Sequence, residues 1–323
     1  MLTPDDDRIH LARDHPEERV RHASATGEWE RLRHGAYRDA PPPQPSRHAA
    51  GRERLLDTAR AVHRSLRADH VFSHTTAALV HRLRLWETPD RTDVVQSYRR
   101  SGSAAQDLRR HVGSVAPADR RVVRGLPVTS LPRTVADCLR TLPALDGLVL
   151  ADSALAAGVR REEVAVLLDA AGSGRGTRRA RHVLALADDG AESAWESWMR
   201  YLVLRLGLPR PTTQVPLRTE VGDVRADVGW PAWRLLLEFD GLVKYRTDRG
   251  GVAPASDPGS VLVAEKRRQE AIERLGFRVL RCTAYDDPSD VARRVLRRVP
   301  PEVMAGLRVD RALPPLRRRQ GVS

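Results

Sequence analysis

The chain has 323 residues, of which 41% are hydrophobic and 30% are charged, so it is long enough for two or three domains with real cores. Its net charge of +13 and its pI near 10.9 favour a polyanionic partner such as DNA, although arginine-rich codon usage would also raise both values.

The two cysteines, Cys138 and Cys282, have no zinc-finger spacing. The polar start does not resemble a signal peptide, and acids interrupt the most apolar run, residues 145–159. We therefore expect a cytoplasmic protein with no membrane contact.

The first forty residues predict a small helical unit followed by a basic hairpin. A helix is expected over residues 17–29, ending near Gly27, and two short strands are expected around Gly35. This is the outline of a winged helix, so residues 1–40 are predicted to be a DNA-binding unit. Its phosphate contacts would come from Arg19, Arg21, Arg31 and Arg33. The proline-rich segment 41–51 is interpreted as a linker.

Residues 52–190 predict a mixed α/β middle region. Helices are expected at 53–66, 74–86, 132–143, 145–158 and 159–171, and extended segments at 91–98 and 120–130. The glycines of 172–176 follow a helix rather than a strand, so we interpret them as a turn and not as a phosphate-binding loop. His74 and His81 have no acid or cysteine near them in sequence, and are interpreted as packing residues.

Residues 191–300 predict a separate α/β domain, followed by a mobile basic tail at 301–323. An amphipathic helix spans 192–209 and should end at Gly207 and Pro209. One or two strands are expected in 214–231, and a buried strand in 233–241. A helix at 261–276 and a strand at 277–283 complete a predicted βαβ unit with a parallel strand pair.

Three acids stand in or beside the apolar strands of this domain, where carboxylates are normally avoided unless paired, hydrated or bound to a cation. They are Asp227, Glu238 and Asp240. The turn WPAW lets two strands pair and can bring Asp227 level with Glu238, which predicts an oxygen-rich site suited to Mg²⁺. Glu196 lies at the edge of the apolar stripe of the preceding helix. It is either a further site acid or a solvated helix residue.

The chain contains only two lysines, Lys244 and Lys266, and both follow the acidic strand. On a helical wheel Lys266 points to solvent, so Lys244 is the preferred site lysine, and Lys266 and Arg267 are expected to contact DNA phosphates. Glu265 and Arg268 are three residues apart and able to pair. The inner face of the helix is predicted to contain Val261, Ala264, Ile272 and Leu275.

The pattern D-V-(x9)-E-F-D-G, followed by E-x-x-R in a helix and L-G-F-R-V-L-R, resembles the very-short-patch-repair-type endonuclease-like domains of the PD-(D/E)xK superfamily. The resemblance covers about a third of the chain, residues 191–290. It implies a restriction-endonuclease-like core and cleavage of DNA phosphodiesters with Mg²⁺ or Mn²⁺. It makes Asp227 the first motif acid, Glu238 the second and Glu196 the helix acid. Asp240 occupies the position of the superfamily's lysine.

The N-terminal segment RLRHGAYRDA is similar to the wing of AbiEi-type (type IV) antitoxins. The segments FSHTTAALVHRLRLW and GLPVTSLPRTVADCL resemble actinobacterial proteins that join such an N-terminus to an endonuclease-like C-terminus. This resemblance implies a winged helix that binds DNA.

Three hypotheses follow. In the first, a DNA endonuclease, Asp227 and Glu238 hold Mg²⁺, Glu196 reaches it through water, and Lys244 orients the attacking water. Asp240 binds a second cation or anchors Lys244, and Arg268, held by Glu265, contacts the phosphate. In the second, the protein is an antitoxin-like DNA-binding transcriptional regulator whose nuclease fold no longer cuts. In the third, the βαβ unit is purely structural, Glu238 pairs with Arg268 and Asp227 caps a turn.

Overall fold

The computed structural model describes residues 7–43, 46–98, 106–241 and 258–317. It is a mixed α/β protein with three sheets, which confirms the predicted α+β multidomain class at that level. The chain forms two compact units: the first comprises Met1–Leu150 and Gly158–Leu184, and the second comprises Ala151–Ala157 and Ala185–Ser323. No helix in the described ranges has the length and hydropathy needed to cross a bilayer.

The first unit begins with a three-stranded antiparallel sheet in the order β1-β3-β2. Its elements are β1 (Ile9–Leu11), α1 (Glu17–Ala25), β2 (Trp29–Arg33), β3 (Ala36–Asp39) and α2 (Arg47–Ser65), with a 3-10 turn at Ala12–Asp14. A small core joins the sheet to α2 through Leu32 and Ala61. The predicted helix and hairpin are confirmed, and β1 is an addition. The identification of this region as a winged helix stays a prediction.

A mixed five-stranded sheet in the order β6-β5-β4-β8-β7 forms the rest of this unit's framework. Its strands are β4 (Val71–Phe72), β5 (Thr92–Gln96), β6 (Leu108–Val112), β7 (Arg120–Val123) and β8 (Leu126–Thr129). The helices of this region are α3 (His74–Val80), α4 (Leu131–Thr141), α5 (Ala144–Ala156), α6 (Arg161–Ala170) and α7 (Thr177–Leu186), and a 3-10 turn spans Pro117–Asp119. Phe72, Val94 and Val128 are completely buried at its centre.

The second unit contains a four-stranded mixed sheet in the order β12-β11-β10-β9. Its elements are α8 (Ala194–Arg205), β9 (Thr212–Thr219), β10 (Gly222–Trp230), β11 (Leu235–Phe239), α9 (Pro258–Arg274), β12 (Arg278–Cys282), α10 (Pro288–Leu296) and α11 (Pro301–Ala305). Strands β11 and β12 pair in parallel, so the predicted βαβ unit is confirmed. The other two pairings are antiparallel.

Helix α8 has a defined start and a defined end. The Ser193 side chain accepts a hydrogen bond from the Glu196 backbone N at 3.1 Å, as an N-cap serine does. Gly207 follows the last turn with a φ of +83°, a left-handed conformation that glycine adopts without steric cost. The predicted glycine end of this helix is confirmed.

Two packing predictions in the second unit are wrong. Residues 301–314 are not a mobile tail: they begin with α11, Leu313 is 1% exposed, and Tyr201 Oη donates to the Pro314 carbonyl at 2.8 Å. In α9, Ile272 is buried as expected, but Ala264 and Leu275 are exposed. Leu275 is exposed because α9 ends at Arg274, one residue before it.

Candidate functional site

The β10–β11 hairpin places two of the predicted acids side by side in the second unit. Val228 pairs with Leu237, so the next step of the antiparallel register sets Asp227 opposite Glu238, as the sequence predicted. Asp227 Oδ2 accepts a hydrogen bond from the Phe239 backbone N at 2.8 Å, which fixes the carboxylate against the end of β11.

The Asp227 carboxyl has an abnormal acidity. Burial raises its pKa from 3.8 to about 6, and the nearby charges of Glu196 and Glu238 act in the same direction. The hydrogen bond from Phe239 and the charge of Arg268 oppose the increase only in part. Asp227, Glu196 and Glu238, here called the acid cluster, therefore interact electrostatically.

Glu196 is buried rather than solvated, with 7% of its surface exposed. Its Oε2 accepts hydrogen bonds from the Glu192 backbone N at 2.8 Å and from Gln214 Nε2 at 3.1 Å. Gln214 has a φ of +47° within β9, an unusual backbone for a non-glycine residue that marks a local constraint beside the cluster. Within the described ranges, neither Glu196 nor Asp227 forms an ion pair.

Glu238 differs from the other two acids because it has a cationic partner. Arg268 Nη2 and Nη1 donate to its two oxygens at 2.6 and 3.2 Å, a bidentate pair. Arg268 also donates to Glu265 at 3.3 Å, so the predicted pairing of these two residues is confirmed. Arg281, which sequence reasoning missed, lies 3.8 Å from Glu238 and bonds to Glu265.

Lys266 and Asp240 lie outside this network. Asp240 is half-buried, and its backbone N donates to the Cys282 carbonyl at 2.8 Å. Lys266 is 79% exposed and Arg267 is exposed, which confirms the solvent-facing prediction for Lys266. Lys244 lies outside the described residues.

Three of the four predicted DNA-contacting arginines of the first unit are on the surface. Arg19 and Arg21 pair with Glu28 and Glu17, and Arg31 is exposed. Arg33 is different: its side chain is 11% exposed and donates to Asp107 at 2.6 Å. Arg33 thus holds two segments of the first unit together.

A second cluster, which the sequence analysis missed, lies in the first unit. His74, Asp93 and His111, here called the histidine cluster, place one ligand atom each within 4.8 Å of one another. Asp93 is fully buried, its Oδ1 lies 2.8 Å from His111 Nε2, and its Oδ2 accepts from the Thr75 hydroxyl at 2.6 Å. The two imidazoles stack at 3.7 Å. Burial lowers the pKa of His74 to about 3, so its ring is neutral.

The histidine cluster borders a pocket of about 260 Å³ whose walls are about equally polar and apolar. The charged side chains that line it are Arg133, Asp137, Arg140 and Arg175. Arg133 is paired with Asp137 and Asp119, whereas the buried Nε of Arg140 has no hydrogen-bond partner among the described residues. Among the described residues this is the single group of three histidine, cysteine or acidic side chains with metal-ligand spacing.

Comparison with known proteins places the chain beside proteins whose activities are not described. No family model matches the sequence. The uncharacterized proteins MT2308 and Rv2248 of Mycobacterium tuberculosis are each 31% identical to it over 136 residues, which is 41% of this chain and 46% of each relative. The crystal structure of the RV2827C protein from the same organism matches 57% of this chain and 78% of its own, with 15% identity and a TM-score of 0.37.

Proposed function

We propose that the second unit is a Mg²⁺-dependent DNA endonuclease domain of restriction-endonuclease-like type. The observation that carries the proposal is a pair of acids, Asp227 and Glu196, without an ion-pair partner in the described part of the chain. Such carboxylates are costly unless a cation neutralises them. A mixed sheet with α8 and α9 in the same unit is compatible with the core that the sequence resemblance implies.

Two of the acids offer the donor atoms that a hard divalent cation prefers, although the three acids are not within metal-ligand spacing of one another in the described residues. Asp227 and Glu196 each keep one carboxylate oxygen without a hydrogen bond to the described residues, and oxygen is the donor that Mg²⁺ or Mn²⁺ prefers. When bound, such an ion polarises a phosphate and lowers the pKa of a coordinated water. Gln214 and the Phe239 backbone N hold the two carboxylates in position.

Arginine rather than lysine supplies the described positive charge next to the acids. Arg268 orients Glu238 and is itself held by Glu265 and by the Arg225 carbonyl, to which it donates at 2.9 Å. We propose that Arg268 faces the DNA phosphate through this network, and that Lys244 assists from the segment after β11. The basic surface supplies affinity for the DNA backbone.

The test compares two aspartates of the same strand. Asp227→Asn should abolish Mg²⁺-dependent nicking of supercoiled DNA, because it removes a charged cation ligand. Asp223→Asn, at an exposed position of β10, should cut like the wild type. Gel assays with purified full-length protein and a chelator control measure both rates. Equal cutting by wild type and Asp227→Asn would refute the proposal.

A second candidate function, a DNA-binding regulator with an inactive nuclease fold, is favoured by the Glu238–Arg268 ion pair. This bidentate contact occupies both oxygens of the second motif acid. A regulator would bind DNA with the same affinity in wild type and in Asp227→Asn, and neither protein would cut with Mg²⁺ or Mn²⁺. Gel-shift titration beside the nicking assay separates the two functions.

A further inference from the structure

We propose that the histidine cluster of the first unit binds a first-row divalent transition metal of the Zn²⁺ class. The three side chains offer two imidazole nitrogens and one carboxylate oxygen within 4.8 Å of one another. This is the ligand set of an open zinc or related site, in which three protein ligands leave one position for an exogenous ligand. The site is separate from the acid cluster and does not depend on the proposed nuclease.

The distance between two of the ligand atoms is close to that between two ligands of one ion. Metal–ligand bonds of about 2 Å in a tetrahedral arrangement place neighbouring donor atoms about 3.3 Å apart. The 2.8 Å between Asp93 Oδ1 and His111 Nε2 needs only a small opening to reach that value. In the metal-free state a hydrogen bond joins these two atoms, and an ion would replace its proton.

The surrounding residues orient the ligands as a second shell does. Ser73 Oγ lies 2.9 Å from His74 Nδ1, and donation from Nδ1–H leaves the lone pair of Nε2 free for an ion. Thr75 holds the other oxygen of Asp93. His74 is the first residue of α3 and has a φ of +48°, an uncommon conformation that this buried setting maintains.

The pocket beside the cluster predicts the class of the exogenous ligand. Three arginines and one aspartate line it, which makes the wall of the pocket positively charged. A divalent ion bound to two neutral imidazoles and one carboxylate would carry a further positive charge. A small anion such as phosphate would neutralise that charge at the open coordination position. Metal and anion should therefore bind with positive cooperativity.

Co²⁺ titration of the full-length chain tests the site, because four-coordinate Co²⁺ has an intense visible absorption. The two proposed Mg²⁺ ligands of the acid cluster are neutralised in an Asp227→Asn/Glu196→Gln background so that they cannot contribute. We expect a saturable band at one equivalent, displaced by Zn²⁺ and altered by inorganic phosphate. His111→Gln should weaken Co²⁺ binding at least about 10-fold, whereas His34→Gln, at an exposed histidine of the same unit, should leave it unchanged.

Circular dichroism checks that each variant is folded, and His74→Gln provides a second ligand deletion if His111→Gln does not fold. Absence of a saturable band in the parent protein would overturn the proposal. So would a band that survives either ligand deletion in a folded protein. Failure of the DNA-cutting test leaves this result unaffected, since the two sites share no residue.

Discussion

At the scale of single residues, the acid cluster brings three carboxyl groups together in a partly buried environment. Asp227 is held by one backbone hydrogen bond and faces two further carboxylates, and its pKa rises to about 6. A raised pKa means that the folded protein binds the Asp227 proton more tightly than the unfolded chain does. The ionised side chain therefore destabilises the fold at neutral pH.

Asp227→Asn should stabilise the metal-free protein at pH 8. Asparagine keeps the acceptor for the Phe239 N–H but cannot ionise. Since the pKa of Asp227 rises from 3.8 to about 6 on folding, the stability that its protonated form contributes is fully present below about pH 4 and is lost as the pH rises through about 6. We expect a gain of up to about 2 kcal/mol at pH 8 that disappears near pH 4.

Urea unfolding in the presence of a chelator measures this difference, with Asp223→Asn as the matched control. A gain that is equal at pH 4 and pH 8 would contradict the electrostatic explanation.

At the scale of elements, the β10–β11 hairpin determines the positions of Asp227 and Glu238. Side chains alternate along a strand, so a one-residue slip would turn both Asp227 and Glu238 to the opposite face. The turn Pro231–Trp233 and the left-handed Arg234, with a φ of +52°, fix the connection. Gly229 lies where a Cβ would be 2.6 Å from the Leu235 carbonyl, so the two strands approach closely.

Much of this arrangement could be predicted because its determinants are local. The apolar run of β11 and the WPAW turn indicate the hairpin, and the spacing then aligns the acids. The histidine cluster could not be found in this way, since His74, Asp93 and His111 belong to three different elements. One signal was present: Asp93 is an acid within the buried strand β5, the same anomaly that singled out Glu238.

Gly207→Ala should destabilise the second unit. The residue follows α8 in a left-handed conformation, and a Cβ there would lie 2.0 Å from the Arg308 carbonyl. We expect a loss of at least about 1 kcal/mol from the backbone alone, with more from displacement of the C-terminal residues packed on α8. Gly306→Ala, where the nearest atom is 3.8 Å away, should cost much less in the same thermal unfolding assay. Equal losses would show that the C-terminal contact is unimportant.

At the scale of the whole molecule, the second unit is built from two separate stretches of chain. Asp152 belongs to it and forms a buried ion pair with Arg200 at 2.5 Å, with side chains 0% and 3% exposed. Asp152 Oδ1 also accepts from the Asp188 backbone N at 2.8 Å. The domain boundary near residue 191 that the sequence suggested therefore excludes the part of the second unit that contains Asp152.

Asp152→Ala should cost about 3–5 kcal/mol in unfolding free energy, because Arg200 would stay buried without its counter-ion. The double variant Asp152→Leu/Arg200→Met should recover much of that loss. Asp290→Ala, which removes one partner of an exposed pair, should change the stability by less than about 1 kcal/mol. Urea denaturation compares the three proteins, and a small effect of Asp152→Ala would show that Arg200 is solvated.

The divided second unit also constrains how this protein can be shortened or recombined. No single break in the chain releases the unit whole, because seven of its residues, Ala151–Ala157, six of them in α5, precede a stretch that belongs to the first unit. A gene fragment that starts at residue 185 would encode every member of the acid cluster but would leave Arg200 without Asp152. During synthesis the ribosome must likewise make 47 further residues after Asp152 before Arg200 appears, so the unit completes its core late.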